Sequence, residues 1–143
     1  RVKELDKGVD TSWLDLARGK CVKVISFLLQ HLPSEYHYKI VFVRRDLQEV
    51  LSSQRKMLQR RGEAPGDATD GEMARLFSAH LIKTERELIN RTNCEVLYVE
   101  HRAAVQHPME IAVEINRFLG GHLDVQKMAN VVDDQLYRNR STL

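Results

Sequence analysis

One stretch constrains the fold more than any other: Tyr38–Val43 reads Tyr-Lys-Ile-Val-Phe-Val and runs straight into Arg44, Arg45 and Asp46. It is apolar, β-branched and aromatic with little polar alternation, which predicts a strand covered on both faces, as in a parallel sheet flanked by helices. From Asp46 the period changes. Leu47, Val50, Leu51, Gln54 and Leu58 recur at three- and four-residue steps, predicting a helix to about Arg61 that stops at Gly62. A strand feeding directly into a helix is the elementary unit of an α/β fold.

The rest of the chain extends that pattern. A cluster of capping residues at 10–12 before Trp13 predicts a short helix over Thr11–Arg18, stopped by Gly19. Lys20–Ile25 reads as a short buried strand and Ser26–Pro33 as a helical turn halted by proline. Gly62–Gly71, with Pro65 and Gly66, reads as an exposed loop. A long helix starts near Thr69 or Asp70, with Met73, Leu76, Phe77, His80, Leu81, Thr84, Leu88 and Ile89 on its apolar stripe. Cys94–Val99 reads as a third strand, Pro108 as the first residue of a helix ending at Gly120 and Gly121, and Asp124 as the cap of a short helix through Met128. The expected architecture is α/β, a parallel sheet of three or more strands between helical layers, and the tail to Leu143 reads as irregular. The length of 143 residues fits a single domain.

Composition excludes several classes. With 43% hydrophobic residues and a net charge of +2, the chain is expected to fold. No apolar run approaches the roughly 20 residues of a membrane span, and two cysteines, Cys21 and Cys94, are too few for a disulfide framework. Both read as buried strand residues. The expectation is a soluble, cytoplasmic protein without a membrane partner. Arg55, Lys56, Arg60 and Arg61 form a basic helix face, but so small a net charge and no interleaved aromatics give no case for nucleic acid. Six histidines lack paired ligand spacing, so no metal site is expected, and His80 reads as a packed or hydrogen-bonded residue. The first residue is Arg1 rather than Met, which reads as a cut end.

Chemistry is expected beyond the carboxyl end of the central strand, where ligands bind in open parallel sheets. Arg44 or Arg45 would join the N-terminus of the following helix in an anion site, with Asp46 as its cap. Ser53, eight positions after Arg45, adds a hydroxyl about two helical turns on. The competing reading is an exposed arginine pair and a solvated serine.

At this junction Lys39–Gln54 resembles the 3′-phosphate-binding segment of sulfotransferases that use 3′-phosphoadenosine-5′-phosphosulfate (PAPS), in which a strand ends in Arg and a Ser lies eight residues beyond. The resemblance places Arg45 and Ser53 on the 3′-phosphate, with Leu47 replacing the family's frequent Pro. Ser12–Asp15, Arg18–Ile25 and Leu32-Pro33 resemble the helix–strand–turn of bacterial sulfotransferase domains. Leu97–Glu100, His107-Pro108, Ile115–Gly120 and Val131–Arg140 resemble the family's later strand, its Phe-Leu-Gly helix and its C-terminal end.

That likeness implies a three-layer, P-loop nucleoside triphosphate hydrolase-like sulfotransferase fold, N-terminally truncated, with residues 1–143 as one partial domain. It implies PAPS or adenosine 3′,5′-bisphosphate as cofactor, no metal, and a hydroxyl or amine acceptor. Lys23 is the candidate for stabilising charge on the transferred group, and Arg44, Arg138 and Arg140 are further candidates for the 3′-phosphate. Two departures stand out. No G-x-x-x-x-G-K-S/T loop occurs, and Ile25 or Ser26 falls where the family's catalytic His follows its Lys, leaving the general base unassigned. The chain alone is therefore expected to be inactive. A sheet lacking its first strand would expose an edge, for which a second copy, as a homodimer, is the expected cover. A non-catalytic interaction module keeping the fold is the alternative.

Overall fold

The computed structural model describes residues 11–62, 69–133 and 135. These form a mixed α/β structure: α1 (Trp13–Leu16), a 3-10 turn (Ser26–His31), β1 (Tyr38–Arg44), α2 (Leu47–Arg61), α3 (Asp70–Ile89), β2 (Cys94–Glu100), α4 (His101–Gln106), α5 (Pro108–Leu119) and α6 (Val125–Asn130). β1 and β2 pair in parallel as a two-stranded sheet.

Helix ends follow local chemistry. Asp46 caps α2 through its side chain, and Gly62 closes it at φ 67°, a left-handed conformation that glycine adopts without steric cost. Thr69 and Glu72 form a reciprocal box at the start of α3: Thr69 N donates to Glu72 Oε2 at 2.8 Å, and Glu72 N donates back to Thr69 Oγ1 at 3.3 Å. Pro108 opens α5 and Asp124 caps α6.

Four expectations are corrected. Lys20–Ile25 forms no strand, and Cys21, Val22 and Ile25 on it are exposed. Its β-branched residues satisfy a propensity, but a strand needs a ladder partner, and the described strands pair only with each other. β1 is not covered on both faces throughout, because Phe42 is buried while Val43 is 55% exposed. The apolar stripe of α3 is narrower than its spacing suggests, since Leu76 and Ile89 stand in solvent whereas Thr84 and Leu88 are buried. Asp70 and Gly71 belong to α3 rather than to the expected loop, of which 63–68 lie outside the described residues. Helix α4 has no counterpart in the sequence pattern; it starts directly after β2 with no side-chain cap.

The chain divides into two compact units, one drawn from residues 1–38 and 79–94, the other from 39–78 and 95–143. In the first, Leu14, Leu28, Leu29, Leu32 and Leu88 are buried. Its irregular segment is pinned by side chains. Arg91 donates to the carbonyls of Leu29 and Leu32 at 3.2 and 2.6 Å, and Asn93 Nδ2 to that of Tyr36 at 2.8 Å. The second unit holds the sheet, with Phe42, Leu51, Val99, Ala112 and Ala129 buried. There α5 packs against α4 and α6, and Lys39 Nζ donates to the carbonyl of Phe118 at 2.7 Å.

Candidate functional site at the carboxyl ends of the strands

Parallel strands deliver their carboxyl ends to the same side, so the residues just past β1 and those just past β2 define one locality of the second unit. After β1 come Arg45 and Asp46, and after β2 comes His101, the first residue of α4.

Asp46 is occupied as a cap. Its Oδ1 accepts from the amides of Gln48 and Glu49 at 2.9 and 3.1 Å. A carboxylate thus already sits on the start of α2, where the sequence suggested that helix amides would greet an external anion. Guanidinium groups are what this junction presents instead. Arg44 lies over the ring of Tyr98 on β2, 4.2 Å from its centroid, and that ring packs obliquely on Phe42. Arg45 Nε donates to Glu49 Oε2 at 3.2 Å. The two partners differ sharply in exposure, with the Glu49 side chain 3% exposed and that of Arg45 27%.

His101 completes the cluster. Burial pushes its pKa down, the Arg45 guanidinium pushes the same way, and Glu49 opposes both. The cationic imidazolium is therefore disfavoured relative to a free histidine. Sequence reasoning missed Glu49 and His101. The signals were present: Glu49 lies four residues after Arg45, at ion-pair spacing, and His101 stands just past its strand as Arg45 does.

Ser53 is half-buried on α2, one turn beyond Glu49 and on the same helix face. Arg45 thus reaches, from the turn before α2, the helix face that carries Glu49 and Ser53. Lys23 is an exposed residue of the first unit, on the segment that forms no strand. Arg138 and Arg140 lie outside the described residues. The basic face of α2 is solvated as expected, with Arg55 paired to Asp70.

The first unit carries a separate polar cluster. His80 Nε2 lies 3.0 Å from Ser26 Oγ and 3.4 Å from Thr84 Oγ1, while Phe27 stacks on the imidazole at 3.7 Å. Burial lowers the His80 pKa, Glu87 opposing and Lys83 assisting. The hydrogen-bonded role expected for His80 is the one it has. A cavity of about 360 Å³ nearby is lined by Leu29, Thr84, Leu88 and Arg91, but Arg91 is committed to loop carbonyls there.

Among the described residues, no group of three or more His, Cys, Asp or Glu side chains is placed to hold a metal ion. No helix among them is long and apolar enough to cross a membrane. No family model, curated protein or solved structure matches the chain.

Proposed function

We propose that this chain is the nucleotide 3′-phosphate-binding portion of a PAPS-dependent sulfotransferase, whose complete sheet has three or more strands between helical layers. The observation that carries the reading is Arg45 at the carboxyl end of β1 with the Ser53 hydroxyl on α2 beyond it. A dianionic phosphate suits that pair: a guanidinium supplies charge and directed N–H donors, and a hydroxyl supplies one more. Asp46 already caps α2, so Arg45 is the main source of affinity.

When bound, PAPS supplies a sulfuryl group that passes to a hydroxyl or amine acceptor, leaving adenosine 3′,5′-bisphosphate. The task of Arg45 and Ser53 is to hold the nucleotide by its 3′-phosphate. Such transfer depends on positioning and on cations or amides stabilising developing charge. The 143 residues contain no G-x-x-x-x-G-K-S/T loop to cradle the 5′ end. Weak binding and no sulfate transfer are accordingly expected of this chain alone.

Calorimetric titration with adenosine 3′,5′-bisphosphate tests the reading. Arg45→Ala should weaken binding about ten- to a hundredfold, the worth of a hydrogen bond to a charged group. Equal binding by both proteins overturns the site. The missing loop motif favours the alternative of a non-catalytic interaction module, and failure of the unaltered chain to bind the bisphosphate at all would select it.

A further inference from the structure

The second unit contains a buried carboxylate that the proposed binding role does not use. Glu49 is 3% exposed and contacts the residue on which anion binding is expected chiefly to depend, Arg45, through Nε at 3.2 Å. Two roles are physically open to it. Glu49 can compete with an incoming anion for the guanidinium, or it can hold the guanidinium ready for one.

Relative exposure decides between them. The inner member of the pair is the carboxylate and the outer is the guanidinium, 27% exposed. An anion that drew Arg45 away would take from a buried carboxylate the guanidinium that donates to it. Removing one partner of a buried pair costs more than one charge-assisted hydrogen bond returns. Displacement therefore loses, and an anion is received with the pair intact. Contact at Nε also fixes the plane of the guanidinium, which lowers the entropy lost when a ligand engages it. The charged and titratable residues at these strand ends are Arg44 at the end of β1 with Arg45, Asp46 and Glu49 after it, and Glu100 at the end of β2 with His101 and Arg102 after it. Burial and Arg45 disfavour the cationic form of His101, which Glu49 favours.

We infer that Glu49 is the positioning residue of the anion site, orienting Arg45 from the buried side without itself touching ligand. This rests on the binding role proposed for Arg45. Glu49→Ala should weaken adenosine 3′,5′-bisphosphate about tenfold in the full chain, and Glu49→Gln, which keeps an acceptor for Nε, should recover part of the loss. In an Arg45→Ala background, Glu49→Ala should change affinity by less than about twofold, because its influence passes through the missing guanidinium.

Thermal melts by circular dichroism check that each variant is folded, and ligand-observed magnetic resonance reads the weak titrations. Where the Arg45→Ala background binds too weakly to measure, the Gln rescue decides. Tighter binding by Glu49→Ala overturns the inference in favour of competition. An equal loss in both backgrounds, or no recovery with Gln, overturns it in favour of a merely structural carboxylate. If Arg45→Ala weakens binding and Glu49→Ala does not, the inference alone fails. If Arg45→Ala is without effect, the anion site fails and takes the inference with it.

Discussion

Apolar side chains at strand and helix spacing organise the second unit, where Phe42 and Val99 on the two strands and Leu51 on α2 are buried. Polar side chains organise much of the first. Its backbone from Leu32 to Tyr36 lies outside helix and strand, and Arg91 and Asn93, about 60 residues later in sequence, donate to carbonyls between Leu29 and Tyr36. The difference comes from backbone hydrogen bonding. A helix or strand satisfies its own peptide groups, so burial of one face is sufficient to fix it. An irregular segment has no such ladder and must borrow donors from elsewhere.

The largest expected effect tests the apolar side of that contrast. Phe42 is 7% exposed in β1 and packs against the Tyr98 ring with centroids 5.5 Å apart. Phe42→Ala should cost about 3–5 kcal/mol by urea denaturation, the range for removing a core aromatic ring. The polar latch should cost less. Asn93→Ala removes the Nδ2 donor shared by Pro33, Ser34 and Tyr36, only the last of these at 2.8 Å. A loss of about 1–3 kcal/mol is expected, with faster amide exchange concentrated near residues 33–38. A loss for Asn93→Ala exceeding that for Phe42→Ala would break the contrast, since the latch would then outweigh the ring.

This contrast also explains what the sequence disclosed. The secondary structure of the β1–α2 junction was legible because strand run, Asp46 cap, helical period and Gly62 stop are all local signals. The mistaken strand at Lys20–Ile25 satisfies the same local rule, and only the absence of a pairing partner among the described strands reveals the error. Arg45 and Ser53 could be proposed from the sequence because they flank a recognisable junction. Glu49 was hidden inside a helical period as an ordinary polar position. His101 was hidden because the adjacency of two strand ends is a tertiary fact. The Asn93 latch was hidden for the same reason, joining groups 57 to 60 residues apart.

The smallest expected effect separates the units by their histidines. Burial lowers both pKa values, but only His101 is lowered further by Arg45, whereas His80 answers to Glu87 and Lys83. Each folded value lies below the ordinary 6.5. As pH falls from 6.5 toward those values, the unfolded chain binds protons that the folded one does not. Stability therefore decreases through that window and stays lowered beneath it. Magnetic resonance titration of the imidazole protons should place both histidines below free histidine. Arg45→Ala should then move His101 upward and leave His80 where it was. Equal movement of both would mean that His101 does not respond specifically to the guanidinium, and the cluster after β2 would lose its electrostatic tie to the site after β1.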